Sequence, residues 1–175
     1  SDRPTIQIKS MLSLVKMELH SDMKDAASVT ATIRNTATCA IFDIMEGKFV
    51  GRTVEAGNPI QLTANKQTGT SGDIFNLQVT LLSGIMEADA VIEIAVKDKS
   101  GNIIKSYKPA PLRKVLDLGE EQIAEENTQY AIDVQLNGNS ENITTQLAAK
   151  TQIVILKWNG NDDDATGGIA RPEKK

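Results

Sequence analysis

Apolar and polar residues alternate along most of the chain, the pattern of strands that bury one face and expose the other. Five segments show it clearly: LVKMELH, VTATIR, FNLQVTL, ADAVIEIAVK and YAIDVQL. The residues predicted to face a core are Val15, Met17, Leu19, Val29, Ala31, Ile33, Phe75, Leu77, Val79, Leu81, Ala90, Ile92, Ile94, Val96, Tyr130, Ile132, Val134 and Leu136.

Four further segments have the composition of strands: AIFDIM, PIQLTA, NIIKSY and QIVILKW. The last is almost continuously apolar, so we predict it to be the most buried. Ser100-Gly101-Asn102 lies between two strands and predicts a hairpin turn. Residues 117–127, DLGEEQIAEEN, predict a short helix or a turn whose acidic side chains lie in water.

These segments predict an all-β protein, with strand spacings typical of sandwiches and barrels. Uneven loops and long strands favour a two-sheet β-sandwich of about eight strands, a single jelly roll with at most one short helix. No internal repeat or linker divides the chain. We therefore predict an N-terminal arm (residues 1–10), one sandwich domain (residues 11–159) and an acidic, Gly-rich C-terminal tail (residues 160–175).

Composition supports one packed core and limits the partners. Of the 175 residues, 40% are hydrophobic but only 3% are aromatic, so aliphatic side chains must fill the interior. The net charge is −4 and no basic arm is present, so we expect no strong binding of nucleic acid. No apolar run is long enough to span a membrane, and the first residues lack the basic-then-apolar pattern of a signal peptide.

No catalytic arrangement is visible. His20, the only histidine, falls on the predicted polar face of the first strand. It could act as a general base or be an exposed strand residue without a catalytic role, and we favour the second. Cys39, the only cysteine, lies in the apolar stretch TCAIF and is predicted to be a small buried residue. The chain has no G-x-S-x-G and no glycine-rich phosphate loop. We therefore predict no catalytic residue, no cofactor and no enzymatic activity.

The tail NDDDATGGIARPE matches the spacing of an EF-hand calcium loop. Its ligands would be Asp162, Asp164, Thr166 and Glu173, with Gly167 at the turn position. The context differs, because an EF-hand loop joins two helices. Here a strand segment precedes the loop and only two lysines follow it. The alternative is an acidic tail that binds no metal.

Asn142-Ile143-Thr144 is an N-glycosylation acceptor pattern, relevant only to a secreted chain.

Phe49-Val50-Gly51-Arg52 resembles the F-Y-G-R signature of coat proteins in nepoviruses and related picorna-like plant viruses, with valine in place of the second aromatic residue. This resemblance implies a jelly-roll capsid subunit that assembles with related subunits into an icosahedral shell. The pattern KFVGR is also that of a strand end with a glycine bulge.

The sequence analysis therefore leads to two hypotheses. The first is a virion structural protein, a capsid or decoration subunit whose partners are other copies of itself or related capsid subunits. The alternative is an extracellular β-sandwich binding or adhesion module at a bacterial cell surface. That alternative predicts a signal peptide in the precursor and an aromatic platform for ligands, and the scarcity of aromatic residues argues against sugar binding.

The calcium hypothesis has a direct test. Because the helical context of an EF-hand is missing, we expect calorimetric titration with Ca²⁺ to show no binding at millimolar concentration. Saturable heat that disappears in the Asp162→Asn variant would instead establish the tail as a calcium site.

Overall fold

The computed structural model describes residues 11–55, 57–67 and 73–153. The predicted N-terminal arm and the C-terminal tail lie outside these residues. The strands are β1 (Leu12–Ser21), β2 (Ser28–Arg34), β3 (Cys39–Asp43), β4 (Lys48–Thr53), β5 (Ile60–Asn65), β6 (Asp73–Leu82), β7 (Gly84–Ile85), β8 (Val91–Lys97), β9 (Ile103–Ser106), β10 (Ala110–Pro111), β11 (Ile123–Ala124), β12 (Thr128–Leu136) and β13 (Thr144–Gln152). One helix, α1 (Leu112–Val115), is present in the described chain.

Two main sheets build the sandwich, which confirms the predicted all-β class. Sheet A has the strand order β13-β12-β1-β6, and sheet B has the order β10-β8-β2-β5. Strand β9 also pairs with β8, along the same edge as β10. Strands β3 and β4 form a separate hairpin, and β7 pairs with β11.

Strand β1 lies at the centre of sheet A and pairs along its length on both sides. It runs antiparallel to β6 and parallel to β12, where Ser13 is opposite Thr128 and Leu19 is opposite Val134. The parallel pair departs from a purely antiparallel sandwich. Since sequence alternation is the same in both directions, the local pattern does not predict it.

The core lies between the two sheets and consists of the inward-facing residues of both. All eighteen positions that the alternation predicted to face the core are buried. Burying the hydroxyl groups of Ser13 and Ser83 is possible because each donates a hydrogen bond to a backbone carbonyl, of Glu125 and Met11 respectively. No buried side-chain nitrogen or oxygen among the described residues lacks a partner.

Two tyrosines tie loops to the sandwich through their hydroxyl groups. Buried Tyr130 accepts a hydrogen bond from the backbone N–H of Glu125 at 2.9 Å. Tyr107 donates one to the carbonyl oxygen of Asn137 at 3.0 Å. Burial, reinforced by the negative charge of Asp22, raises the pKa of Tyr107 to about 12. The phenol therefore stays protonated, and able to donate this bond, at any pH well below that value.

The connecting elements follow the predictions in part. The predicted hairpin turn joins β8 to β9, where Gly101 has a φ of 82°. The Asp98 carboxylate accepts hydrogen bonds from the backbone N–H groups of Ser100 and Asn102, and these bonds lower its pKa. Residues 117–127 contain turns and the short strand β11, and the helix precedes them. A helix cannot continue there because Asp117 and Gln122 both have positive φ values.

The edge of sheet A differs most from the sequence prediction. Strand β13 was not predicted, because TTQLAAKTQ lacks regular alternation and most of its residues are exposed. It pairs with β12 through a register shift next to Ala131. The segment QIVILKW, predicted to be the most buried strand, begins where β13 ends, and most of it lies outside the described residues.

The central position of β1 generates a stability prediction. Leu19→Ala should lower the free energy of unfolding by about 2–5 kcal/mol, because it leaves a cavity between the sheets. Gln78→Ala, on the exposed face of the neighbouring strand, should change it by no more than about 0.5 kcal/mol. Urea unfolding followed by circular dichroism measures both. Equal losses in the two variants would contradict the assignment of the faces.

Candidate functional site

The predicted metal ligands all lie outside the described residues: Asp162, Asp164, Thr166 and Glu173. The calcium loop therefore stays a prediction. Within the described ranges, no group of three or more His, Cys, Asp or Glu side chains is arranged to hold a metal ion.

His20 lies on the exposed face of sheet A, as the sequence predicted. Its Nε2 lies 2.8 Å from Oε1 of Glu18. Glu18 in turn lies beside Asp133, its register partner on β12. The Glu18 carboxylate is half exposed, and ion pairs of this kind contribute little to stability. The side chains of His20, Glu18 and Asp133 form a polar, hydrogen-bonding patch on the outer face of sheet A.

The rest of the outer face of sheet A extends this polar patch. Most of its exposed positions carry amides, hydroxyls and one cation: Lys16, Asn76, Gln78, Thr80 and Gln135. Leu12 is also exposed on this face, at the start of β1. A shallow groove crosses the sheet along Lys16, Glu18, Gln78 and Asp133. Side chains of this kind offer many donors and acceptors to a polar ligand, such as a peptide or a saccharide. We call this the polar face.

A second exposed surface is apolar and was missed from the sequence. It is the hairpin of β3 and β4, residues 39–53, which we call the apolar hairpin. Its exposed large apolar residues are Ile41, Phe42, Ile44, Met45 and Val50. Apart from their mutual pairing, neither strand packs extensively against another element of the described chain.

The prediction that Cys39 is buried was wrong. Its thiol is exposed on β3 and donates a hydrogen bond to Oε1 of Glu55 at 3.3 Å. The apolar stretch TCAIF looked like a core strand because alternation does not show whether a strand belongs to the sandwich. The prediction failed because this strand projects from it.

Arg52 fastens the apolar hairpin to the sandwich. Its Nε and Nη2 donate to the two carboxylate oxygens of Glu87, each at 3.1 Å. Its Nη1 donates to the carbonyl oxygens of Leu82, at 2.8 Å, and Ser83. The side chains of Arg52 and Glu87 are only 16% and 18% exposed. A bidentate ion pair whose side chains are so little exposed to solvent is both strong and directional.

Gly84 makes room for this clamp. A Cβ at this position would lie 3.2 Å from Nη1 and 3.3 Å from Cδ of Arg52. The φ of Gly84 is +112°, which other residues rarely adopt. Close approach and backbone geometry therefore both require glycine here.

The segment Phe49–Arg52 has a structural role within the hairpin. Val50 has no register partner, because Ile41 is opposite Gly51 and Phe42 is opposite Phe49. The pattern KFVGR indicated a glycine bulge at a strand end; the bulge lies instead at Val50, beside Gly51 and within β4. Gly51 lies against Ile41, and Arg52 forms the clamp. The resemblance of these residues to the coat-protein signature stays a prediction.

Comparisons with known proteins give a structural match only. Neither a protein-family model nor a curated protein matches the sequence. Among solved structures, the chain is similar to a proposed cell adhesion protein from Bacteroides uniformis, with a TM-score of 0.52 and 13% identity, over 83% of this chain and 52% of that one. A proposed cell adhesion protein from Bacteroides ovatus matches with a TM-score of 0.48 and 10% identity, over 85% and 47% of the two chains.

A proposed adhesin from Bacteroides thetaiotaomicron also matches, with a TM-score of 0.43 and 11% identity, over 83% of this chain and 53% of that one. The chain thus spans about half the length of these solved structures. At such low identity, the match to the Bacteroides uniformis protein defines the fold: a β-sandwich shared with part of that chain.

The clamp generates a prediction with a matched control. Arg52→Ala should lower the free energy of unfolding by about 2 kcal/mol or more, because it leaves the Glu87 carboxylate nearly buried without a partner. Arg34→Ala breaks the exposed Arg34–Glu93 pair and should cost less than about 1 kcal/mol. Urea unfolding measures both losses. In the Arg52→Ala variant, amides of residues 39–53 should also exchange faster, and unchanged exchange there would show that the clamp does not hold the hairpin.

Proposed function

We propose that the chain is an extracellular bacterial adhesion module, a β-sandwich that acts by binding another macromolecule through its surface. The observation that carries the proposal is the fold match to the proposed cell adhesion protein of Bacteroides uniformis over 83% of this chain. This was the alternative in the sequence analysis. No comparison supports the capsid hypothesis, which rests on the four residues Phe49–Arg52.

The distribution of side chains supports a binding role. Among the described residues, the titratable side chains of His20, Glu18 and Asp133 lie together on the open outer face of sheet A, and Glu18 and Asp133 line its shallow groove. The protein offers the polar face as a broad surface built on a rigid sheet. We expect such a surface to act by binding and not by catalysis. No helix in the described part of the chain is long and apolar enough to cross a bilayer.

We place the ligand contact on the polar face. It spans neighbouring strands of sheet A whose register is fixed on both sides of β1, so its backbone is already ordered before a ligand binds. Adjacent amides and carboxylates, such as Gln78, Glu18 and Asp133, favour a ligand rich in hydroxyl or amide groups. The chemical class we propose is an extended peptide on an opposing cell surface, since the scarcity of aromatic residues argues against a glycan.

A bead-adhesion assay tests the function and the face together. Beads coated with the purified chain should be retained under flow on bacterial or epithelial cells, and beads coated with an unrelated β-sandwich should not. Gln78→Arg places a bulky cation in the middle of the polar face, and we expect it to reduce retention about tenfold or more. Gln61→Arg, an exposed position on β5 of the other sheet, is the matched control and should retain full adhesion.

The outcomes separate the hypotheses. Retention that both variants abolish equally would contradict the polar face but not adhesion. Absence of retention on every surface tested, together with closed particles in negative-stain electron microscopy, would contradict adhesion and favour the capsid hypothesis.

A further inference from the structure

Strand β6 forms one edge of sheet A, and we call its side away from β1 the free edge. It pairs with β1 over ten residues without a register shift. In an antiparallel pair, alternate residues direct their N–H and C=O groups towards the partner strand, and the others direct them away. Two hydrogen bonds show which residues of β6 point away. The carbonyl oxygen of Ile74 accepts from the backbone N–H of Gln67 at 3.0 Å, and that of Leu82 accepts from Nη1 of Arg52 at 2.8 Å.

Between these two bonded ends, the free edge has no partner in the described part of the chain. Asn76, Gln78 and Thr80 fall on the same alternation as the bonded ends, so their N–H and C=O groups also point away from β1. No hydrogen bond from a described residue reaches any of these groups. Groups of this kind recur about every 6.8 Å along a strand, and another extended strand is the structure that matches them.

The free edge also lacks the features that usually prevent strand addition. Edge strands are commonly protected by a lysine, a proline or a β-bulge. The sequence of β6, DIFNLQVTLL, contains no basic residue and no proline, and its pairing with β1 is regular. Strand β13, at the opposite edge of sheet A, carries Lys150 and pairs with β12 through a register shift next to Ala131. This difference between the two edges indicates that the free edge of β6 is kept open for a partner strand.

The side chains along β6 specify what kind of strand fits. In an added antiparallel strand, residues opposite Asn76, Gln78 and Thr80 would place their side chains on the polar face. The residues between them would lie beside Leu77 and Val79, which are buried on the inner face of β6. A segment that alternates polar and β-branched aliphatic residues therefore matches both faces. From Ile74 to Leu82 the strand is about 27 Å long, which suits a segment of about seven residues.

The bonded ends favour a free peptide segment over a second copy of β6. Two copies of β6 that paired antiparallel about a two-fold axis at Gln78 would place Leu82 of one copy opposite Ile74 of the other. Each of these positions is already occupied, by Arg52 and Gln67 respectively. A short segment that ends before them meets neither group.

We propose that the free edge of β6 is a peptide-binding site, at which an extended segment of a partner protein adds to sheet A as a further strand. Main-chain hydrogen bonds would supply affinity, and the alternating side chains would supply specificity. This inference deepens the proposed adhesion and rests on it for the source of the peptide. It also extends the polar face, because the added strand continues the outer surface of sheet A beside Gln78.

Amide hydrogen exchange followed by NMR tests the site residue by residue. The probe is the synthetic peptide Thr-Val-Thr-Val-Thr-Val-Thr-Lys, blocked at both ends. In the free protein the amides of Asn76, Gln78 and Thr80 should exchange fast, and a saturating amount of peptide should slow them about tenfold or more. The amides of Leu77 and Val79 point towards β1 and should exchange slowly in both states, which controls for the integrity of the strand.

Backbone methylation of the probe supplies a matched pair of ligands. Directly opposed residues of antiparallel strands share a face, so the threonines of the bound probe would direct their N–H groups towards β6. N-methylation of the two central threonines should weaken binding about tenfold or more, because it removes donors to the free edge. N-methylation of two valines, whose N–H groups point to solvent, should leave the affinity nearly unchanged. Titration calorimetry measures all three peptides.

Several results would overturn the proposal. One is slow exchange of Asn76, Gln78 and Thr80 in the free protein, which would show that the edge is already covered. Protection that grows with protein concentration alone would assign the edge to a second copy. Equal affinities of the two methylated peptides would refute strand addition. Retention of beads without amide protection would remove this site but not adhesion, and amide protection without retention would remove adhesion but not this site.

Discussion

Strand β1 holds sheet A together because it is paired along its length on both sides. Residues Val15, Met17 and Leu19 point into the core, and the residues between them form part of the polar face. A slip of one residue against either neighbour would exchange the two faces. The register of β1 therefore fixes at once which side chains fill the interior and which lie on the polar face.

The sequence predicted the sandwich where burial and alternation coincide. The five alternating segments and the turn at Ser100–Asn102 appeared as expected, since a strand with one buried face records that face in every second residue. Strand β13 left no such record, because an exposed edge strand has no buried face. The sequence also did not show which strands pair with each other. The parallel pairing of β1 with β12, for example, depends on contacts between segments that are distant along the chain.

The candidate surfaces were harder to predict than the fold. The search for chemistry led to His20, Cys39 and the acidic tail, the residue types that catalysis and metal binding use. Exposure in three dimensions decides which surfaces matter here, and alternation alone places Ile41 in a core as readily as Ile33. The clamp was invisible for a related reason: Arg52 and Glu87 are 35 positions apart and meet only in the folded chain.

The parallel pairing of β1 has a consequence for biosynthesis. Ser13 is among the first described residues, and its hydroxyl is bonded to the carbonyl of Glu125, 112 positions later. On a ribosome or in an export channel, β1 and β6 can pair while β12 has yet to emerge. Until it does, one edge of β1 is open and the core lacks the inner side chains of β12. Contacts of such long range fold slowly and leave partly formed chains prone to aggregation. We therefore expect the nascent chain to need protection from aggregation until β12 has been made.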